Sequence, residues 1–285
     1  MVEAVRELFS IQRVGHCGTL DPLATGLLVL LLGEVTKVAK YLTDEDKQYE
    51  GQIRLGIQTD TDDAEGKVIH TADAGQVELI TAQKAAKKFI GQIVQTPPRF
   101  SAQKRQGVRA YERARAGETF ETEARTVTVH DLELSDLNHQ LLNFSCRVGK
   151  GTYVRSLARD LGIELGVFGH VSNLRRTASG GFHLPQAISI EALSSLTMEE
   201  RITHVRSLAE AWQPRPMVTL NENDTLRVRE GKKTAIPRDA ASSSDEGASI
   251  VLAVTATYTP VAIGSLVWDP PTRSFIFAPE RNLFC

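Results

Sequence analysis

The chain has 285 residues, of which 41% are hydrophobic and 24% are charged, and its formal net charge is −2. This composition can fill a sizeable core and excludes wholesale disorder, and the length predicts one large domain with a smaller one. The longest apolar run, residues 27–32, is far shorter than the roughly twenty residues of a membrane-spanning helix, which excludes a membrane protein.

The first part of the chain alternates short elements with loops. Hydrophobic residues near helical spacing predict a helix over residues 1–9, and the Gly, Thr, Asp and Pro residues of 13–26 predict a loop. Residues 27–32 form a short apolar strand or helix segment. Alternation over residues 49–55 predicts a half-buried strand, which an acidic turn at 59–66 follows.

The middle of the chain is predicted to contain two helices and a strand. An apolar stripe over residues 82–93 predicts a helix, and the Pro-Pro opening of 95–118 predicts an extended loop leading into a short helix. Alternation predicts a strand over 142–148. Thr152 is the predicted N-cap of a helix from residue 153 to about residue 165.

The C-terminal part has a different character. The proline-punctuated residues 211–217 are typical of a linker, and 242–247 are typical of an exposed loop. Short β-like runs at 250–255, 261–268 and 274–277 predict a small all-β module.

The three cysteines, Cys17, Cys146 and Cys285, lie too far apart in the sequence to form a zinc cluster by local spacing. Their odd number argues against a disulfide framework. The N-terminus also lacks the apolar core of a signal peptide, so we expect a protein of the reducing cytoplasm.

Charge is unevenly distributed along the chain. Residues 43–75 carry nine acidic and three basic side chains, whereas 99–115 carry six basic and one acidic, and 145–176 carry six basic and two acidic. Local basic patches on a near-neutral chain favour an anionic polymer bound on one face. The alternative interpretation is an ordinary solvated surface.

Asp21 is the carboxylate best placed for chemistry, because it lies in a glycine-rich loop where a ligand can approach the backbone closely. The alternative is that the Asp-Pro step is simply a turn. The loop lacks the lysine of a nucleotide-binding P-loop, and the chain has no GxSxG nucleophile motif. No second histidine stands at metal-ligand spacing from His16, which argues against a metal site.

Five segments carry a specific resemblance. GHCGTLDPLATGLLVLLLGEVTK (15–37) resembles the active-site motif of the TruB family of tRNA pseudouridine synthases. Four more segments resemble motifs of that family in the family's order: KQYEGQIRLGIQTDTDDAEG (47–66), TPPRFSAQKRQGVRAYERARAGE (96–118), CRVGKGTYVRSLARDLGIELG (146–166) and HVSNLRRTASGGF (170–182). The C-terminal part is more loosely similar to the family's PUA-like RNA-binding domain.

The resemblance implies roles for individual residues. Asp21 matches the catalytic aspartate, and Arg155 matches the arginine that pairs with it. Tyr49 matches the tyrosine that stacks on the flipped base, and Leu174 matches the apolar residue that packs on that base. Tyr153 matches the tyrosine of the GTY-R motif.

Further residues are implied to contact the RNA. His16 matches the histidine that helps draw the target uridine out of its loop. The segment 96–118 resembles the family's RNA-contacting segment, and its expected backbone contacts are Arg99, Lys104, Arg105 and Arg109.

The sequence departs from the family's pattern in two places. The family usually opens with a strand and a KPxGxTS segment, whereas this sequence begins inside the expected helix, and we expect the missing strand to leave a sheet edge unpaired. Cys17 stands where the family usually has threonine, and its thiol would make the site oxidisable if it were exposed.

The resemblance implies an α+β fold. We expect a pseudouridine-synthase catalytic domain with a mixed, mainly antiparallel sheet over residues 1–212 and a small β-rich PUA-like domain over 213–285. The expected activity is the isomerisation of uridine 55 in the tRNA T-loop. Because that reaction is redox-neutral and releases nothing, we expect no cofactor and no metal. We also expect a monomer that binds the T-loop and T-stem and needs no protein partner.

Three rival functions remain open at this stage. An RNA-guided relative of the same fold would modify other RNA. A non-catalytic tRNA-binding or folding protein would keep the basic patches without needing Asp21. A carbohydrate-active enzyme would need a second carboxylate at the site, and the motif loop offers none.

Overall fold

The computed structural model describes residues 1–100, 104–105, 108–109, 123–240 and 249–283. Its α-helices are α1 (Val2–Phe9), α2 (Ala39–Thr43), α3 (Leu79–Ala86), α4 (Val154–Glu164), α5 (Ile190–Ser194), α6 (Met198–Thr203), α7 (Leu208–Trp212) and α8 (Glu222–Arg229). Short 3-10 helices cover Gly33–Val38, Lys87–Phe89, Leu184–Gln186 and Arg238–Ala240.

The strands occur in two groups along the chain. The first group is β1 (Val14–His16), β2 (Thr25–Gly26), β3 (Leu30–Leu32), β4 (Lys47–Leu55), β5 (Ile57–Thr59), β6 (Val68–Thr71), β7 (Gly91–Gln95), β8 (Lys104–Arg105), β9 (Val108–Arg109), β10 (Arg125–Asn138), β11 (Leu141–Val148), β12 (Gly169–Ser179) and β13 (Phe182–His183). The second group is β14 (Met217–Leu220), β15 (Thr234–Ile236), β16 (Ser249–Thr255), β17 (Pro260–Asp269) and β18 (Ser274–Asn282).

The chain divides into two compact units. The first unit comprises Met1–Cys17, Leu30–Leu42 and Ala187–Cys285, and the second comprises Gly18–Val29 and Thr43–Gln186. The sheet of strands β14–β18 belongs to the first unit and begins at Met217. The predicted domain boundary after residue 212 stays a prediction.

The second unit is built on a seven-stranded sheet with the order β13-β12-β4-β11-β10-β7, and β2 pairs with β12 off that path. All pairings along the path are antiparallel, and β2 alone runs parallel to its neighbour. Alternation explains the strands: in β11, Leu142, Phe144, Cys146 and Val148 are buried while the residues between them are not. Helices α3 and α4 pack against this sheet and complete its core.

The first unit holds a five-stranded sheet with the order β14-β16-β17-β18-β15. The β14–β16 pair is parallel and the other pairs are antiparallel. Strands β1 and β3 form a separate antiparallel pair in this unit. The expected α+β fold, with a mainly antiparallel sheet and a β-rich C-terminal part, is therefore confirmed.

Most elements predicted from periodicity are present. The helix at the N-terminus is α1, the half-buried strand over 49–55 is the main part of β4, and the strand over 142–148 is β11. The short apolar segment after the loop contains strand β3. The three C-terminal β-like runs fall in β16, β17 and β18.

Three local predictions are wrong. The predicted loop over 13–26 contains the short strands β1 and β2, because β1 pairs with β3 and β2 pairs with β12. The helix predicted over 82–93 ends at Ala86, and a 3-10 turn and strand β7 follow. Gly91 has a φ of 100°, which no helix accommodates, and pairing with β10 makes the next residues extended. Thr152 does not cap α4, because Tyr153 is the N-cap residue and the Thr152 hydroxyl donates to the Thr128 carbonyl, 3.4 Å away.

Two further predictions lie mainly outside the described residues. Of the segment predicted as a loop and short helix, 95–118, the structure describes 95–100 and the antiparallel pair β8–β9, in which Lys104 lies opposite Arg109. The predicted exposed loop at 242–247 is not described. In the described part of the chain, no helix is both long enough and apolar enough to cross a membrane.

Candidate active site

The loop that carries Asp21 is fixed to strand β12. Strand β2 pairs in parallel with β12, and the Leu27 amide donates to the Arg176 carbonyl at 2.8 Å. Gly26 has a φ of 93°, and a Cβ there would lie 2.3 Å from the Arg176 oxygen, so only glycine allows this approach. Leu23 packs on the core of the second unit. The loop is therefore a fixed part of the sheet edge.

Asp21 receives a two-pronged interaction from a buried arginine. Arg155 Nε donates to one Asp21 oxygen at 3.0 Å, and Arg155 Nη2 donates to the other at 2.7 Å. Arg155 is 3% exposed and follows the N-cap of α4 by two residues. Bidentate arginine–carboxylate pairs fix orientation as well as charge. The expected Asp21–Arg155 pair is present.

The remaining donors of Arg155 are also used. Its Nη1 atom donates to Asp63 Oδ2 at 3.1 Å and to the Thr61 carbonyl at 3.0 Å, and its Nη2 atom donates to the Phe100 carbonyl at 2.9 Å. An arginine has five N–H groups, and these contacts occupy all of them. Asp63 is therefore a second carboxylate on the same cation. Sequence reasoning placed it only in an acidic turn.

The surroundings of Asp21 act on its protonation. Burial raises the pKa of Asp21 above its usual range, the charge of Arg155 opposes that rise, and the Asp63 charge adds to it. Burial likewise raises the pKa of the neighbouring Asp62, although Arg159 donates to that carboxylate at 2.9 Å. The site thus holds a partly buried, ionisable carboxylate bound to a buried arginine.

Tyr49 lies on the core-facing side of β4 and contacts Arg176. Burial raises the pKa of the Tyr49 hydroxyl, and a hydrogen bond from the Arg176 side chain opposes that rise. Arg176 lies opposite Tyr49 on strand β12, and the Arg176 side chain bonds to Gly18 and Leu27 on either side of Asp21. The structure therefore brings Tyr49 to the same site as Asp21 and Arg155.

Arg176 is a site residue that sequence reasoning missed. It is 1% exposed, and its Nε donates to the Leu27 carbonyl at 2.7 Å while both Nη atoms reach the Gly18 carbonyl at 3.2–3.3 Å. It therefore bonds the two ends of the Asp21 loop and lies opposite Tyr49 on the neighbouring strand. The only signal in the sequence was its place in the segment HVSNLRRTASGGF.

Leu174 and Tyr153 occupy neighbouring positions. Leu174 is 2% exposed and belongs to the core cluster against which Tyr49 packs. Tyr153 is the half-buried N-cap of α4, and the Arg125 guanidinium lies 4.9 Å from the centre of its ring. Contacts of either side chain with a base stay predictions.

The remaining predicted site residues are placed as follows. His16 ends strand β1, lies opposite Leu30, is exposed and belongs to the first unit. Arg99 is exposed at the end of the described segment 95–100. Lys104, Arg105 and Arg109 lie on β8 and β9, where only the backbone is described. The RNA contacts of all of these residues stay predictions.

The cysteine that replaces threonine is not exposed. Cys17 is 1% exposed, so the condition for an oxidisable thiol is not met there. Cys146 is a buried residue of β11 opposite Tyr49 of β4, and burial raises its pKa to about 12. A thiol with so high a pKa is almost never ionised at neutral pH, and the thiolate is the reactive form.

Both buried thiols are therefore expected to resist alkylation. Treatment of the folded protein with iodoacetamide, followed by peptide mass spectrometry, should find Cys17 and Cys146 unmodified, and both should react after denaturation. Rapid labelling of Cys17 in the folded state would contradict its burial.

The chemistry available at this site follows from its side chains. Within residues 1–100, 123–240 and 249–283, no group of three His, Cys, Asp or Glu side chains is arranged to hold a metal ion. Asp21 can act as a base or as a nucleophile, Arg155 orients it, and Tyr49 offers an aromatic face. Fold and site together define the class of an α+β enzyme whose site holds the two carboxylates Asp21 and Asp63 on one buried arginine, beside the aromatic ring of Tyr49.

Comparison with known proteins identifies the family. A family model described as "TruB family pseudouridylate synthase (N terminal domain)" matches residues 6–154, and one described as "tRNA pseudouridylate synthase B C-terminal domain" matches 155–215. A protein of Francisella tularensis named tRNA pseudouridine synthase B is 40% identical over 225 residues, which cover 79% of this chain and 74% of that protein. A protein of the same name from Francisella philomiragia is 39% identical over the same shares. The chain belongs to the TruB family of pseudouridylate synthases.

Solved structures support the fold. A chain of a Cbf5-Nop10-Gar1 complex superposes with a TM-score of 0.75 at 23% identity, covering 99% of this chain and 80% of that one. A chain of an H/ACA RNP bound to a substrate RNA containing 2'-deoxyuridine gives a TM-score of 0.73 at 21% identity, with 100% and 80% coverage. At these identities the likeness shows a shared fold.

Proposed function

We propose that this chain isomerises uridine 55 in the T-loop of tRNA to pseudouridine, with Asp21 as the catalytic carboxylate and no cofactor. The observation that carries the proposal is the Asp21–Arg155 pair beside Tyr49 in a chain of the TruB family. The named relatives are tRNA pseudouridine synthases, which supports tRNA as the substrate. The cytoplasm is the proposed location.

The reaction moves the uracil from one attachment point to another. The bond between N1 and C1′ breaks, a bond between C5 and C1′ forms, C5 loses its proton and N1 gains one. No electron is transferred to another molecule. A carboxylate near the ribose and the uracil assists as a nucleophile or as a base, and both roles need Asp21 ionised. Arg155 opposes the effect of burial on the Asp21 pKa and thereby favours that form.

The target base must leave its loop before it can react. A base within folded RNA is out of reach, and an extruded base is held by stacking on aromatic and apolar side chains. In this proposal Tyr49 supplies the aromatic face, and Leu174, which belongs to the core cluster on which Tyr49 packs, supports it from below. In this proposal His16 helps to extrude the uridine, and Tyr153 contacts it at the N-terminus of α4.

The RNA partner is the T-stem and T-loop, bound by a monomer without a protein partner. Backbone contacts come from Arg99, Lys104, Arg105 and Arg109, which lie in the basic stretch 99–115. Basic side chains bind RNA mainly by neutralising phosphates.

The function is tested with a transcript of the T-stem and T-loop that carries tritium at C5 of its uridines. The chain should release tritium and leave the mass of an unlabelled transcript unchanged. A transcript with cytidine at position 55 should release none above background. Binding without tritium release would favour the non-catalytic alternative, and release only with an added guide RNA would favour the RNA-guided one.

The role of Tyr49 is tested by two substitutions. Tyr49→Phe keeps the stacking ring and should keep RNA binding. Tyr49→Ala removes a stacking platform worth about 1–3 kcal/mol and should lower the single-turnover rate. If Tyr49 were only a core residue, the alanine variant would lose roughly 3–5 kcal/mol of stability. A variant with a much lower melting temperature that turns over normally in the cold would contradict the stacking role.

Salt dependence tests the basic segment. Replacing Arg105 and Arg109 by alanine should flatten the slope of log K against log salt by up to about two units, because each lost phosphate contact removes roughly one. Lys84→Ala with Lys87→Ala is the control, because these exposed lysines of α3 and the following turn change the net charge equally. Equal slopes for the wild type and the Arg105 and Arg109 variant would mean that the segment does not contact RNA.

A further inference from the structure

We propose that Gln95 is a positioning residue for the reaction: its side-chain amide holds the main chain of Tyr153 and thereby the start of the helix that carries Arg155. This inference rests on the proposed function. It concerns a residue that the five family-like segments do not include.

The amide of Gln95 makes two hydrogen bonds to a single residue. The Tyr153 amide donates to Gln95 Oε1 at 2.8 Å, and Gln95 Nε2 donates to the Tyr153 carbonyl at 3.1 Å. Gln95 is 0% exposed and is the last residue of β7. A donor and an acceptor offered together imitate one rung of a β-ladder, in which two residues exchange both main-chain bonds.

This pair of bonds serves a helix start that lacks an ordinary cap. Tyr153 is the N-cap residue of α4 and makes no side-chain capping bond, since an aromatic ring has no suitable acceptor. Gln95 binds the N-cap residue from outside the helix instead. Arg155 is only two residues further on, so the position of residue 153 sets the direction from which Arg155 reaches Asp21.

The residues after Gln95 make the connection rigid. The Thr96 carbonyl accepts from Ser156 Oγ at 2.8 Å and from Arg159 Nη2 at 2.9 Å. The Phe100 carbonyl accepts from Arg155 Nη2 at 2.9 Å. Side chains from the first two turns of α4 thus bond to the main chain of the segment 95–100. The Gln95 side chain bonds in turn to the main chain at the start of α4.

If Gln95 only filled the core, burying its amide would cost more free energy than burying an apolar side chain of the same size. A buried amide loses its water contacts, and only well-formed hydrogen bonds compensate that loss. Both of its bonds go to Tyr153, which lies two residues before Arg155, the partner of Asp21. A shift of about 1 Å in the catalytic groups can cost about 100-fold in rate. We therefore expect the effect of Gln95 to fall on the rate of reaction.

The experiment compares Gln95→Met and Gln95→Glu with the wild type. Methionine has nearly the same length and makes neither bond. The carboxyl that Gln95→Glu introduces can reproduce both bonds only while protonated, because the ionised form has no donor for the Tyr153 carbonyl. Gln92→Met is the matched control: Gln92 lies on the same strand and is exposed.

Single-turnover tritium release, RNA binding and melting temperature are measured for each protein. Gln95→Met should lower the rate constant by about 10–100-fold and leave the dissociation constant for the T-stem-loop nearly unchanged. The rate of Gln95→Glu, relative to the wild type at the same pH, should rise as the pH falls, since protonation restores the missing donor. The same ratio should stay flat for Gln95→Met, and Gln92→Met should match the wild type.

The outcomes separate the inference from the function on which it rests. A wild type that releases no tritium would overturn the proposed function. An active wild type with an equally fast Gln95→Met variant would overturn the positioning role alone. A loss that appears only as weaker RNA binding or a lower melting temperature would also overturn it. If Gln95→Met does not fold, the test is the rate of Gln95→Glu divided by the wild-type rate at each pH. A value of this quotient that does not change with pH would contradict the proposal.

Discussion

Asp21→Asn is expected to lower the single-turnover rate of pseudouridine formation by at least about 10³-fold while RNA still binds. The amide has nearly the shape of the carboxylate and its oxygen can still accept one of the two Arg155 bonds, while Arg176 holds both ends of the loop, so the loop should keep its position. It can act neither as a base nor as a nucleophile. Tritium release from C5 of labelled tRNA measures the rate, and filter binding measures the affinity.

The matched control for this variant is Asp44→Asn. Asp44 is an exposed carboxylate of the second unit that contacts Lys150, and its substitution removes the same charge without touching the Asp21–Arg155 pair. Asp44→Asn should keep the wild-type rate within a few-fold. Near-normal tritium release by Asp21→Asn would remove Asp21 from the mechanism.

The pH dependence of the wild type follows from the same group. Burial raises the pKa of Asp21, so the fall in rate on acidification should begin above the usual aspartate range. Because the folded pKa is raised, ionisation of Asp21 costs stability as the pH rises through that pKa. This loss of folding stability therefore arises at the site where the reaction needs an ionised carboxylate.

Sequence patterns were sufficient where a single local feature decides the structure. Alternation alone identified β4 and β11, because one face of each strand is buried. The pair of Asp21 with Arg155, which lie 134 residues apart, was anticipated through the resemblance to the TruB family. Such pairs can be anticipated only through a resemblance, since no local pattern joins them.

The missed residues act through contacts that the sequence does not display. Arg176 bonds Gly18 across 158 residues, and Gln95 bonds Tyr153 across 58. The error at Thr152 has a tertiary cause as well, because the helix start it was predicted to cap is held by Gln95 from another strand. Capping rules concern side chains of the helix's own first residues, and here a buried side chain from another strand bonds to the N-cap residue instead.

The second large effect is expected from Arg155→Gln. The substitution leaves Asp21 and Asp63 without the cation that they share, and removing one partner from a buried charge pair costs roughly 3–5 kcal/mol of stability. The melting temperature should fall accordingly. Arg175→Gln is the control, because Arg175 lies on β12, the strand against which α4 packs. The Arg175 side chain is 48% exposed and approaches Glu50 only to 3.8 Å, so its loss should change stability little.

The pH dependence of Arg155→Gln separates loss of charge from loss of packing. Arg155 lowers the Asp21 pKa, so without it that pKa rises further and the acid fall in the rate should move to higher pH. A group with a raised folded pKa stabilises the protein below its unfolded pKa and loses that contribution as the pH rises through the folded pKa. The stability difference between wild type and variant, measured by urea unfolding, should therefore narrow on acidification. A difference that stays constant across this pH range would mean that Arg155 stabilises the fold by packing and not by holding the two carboxylates.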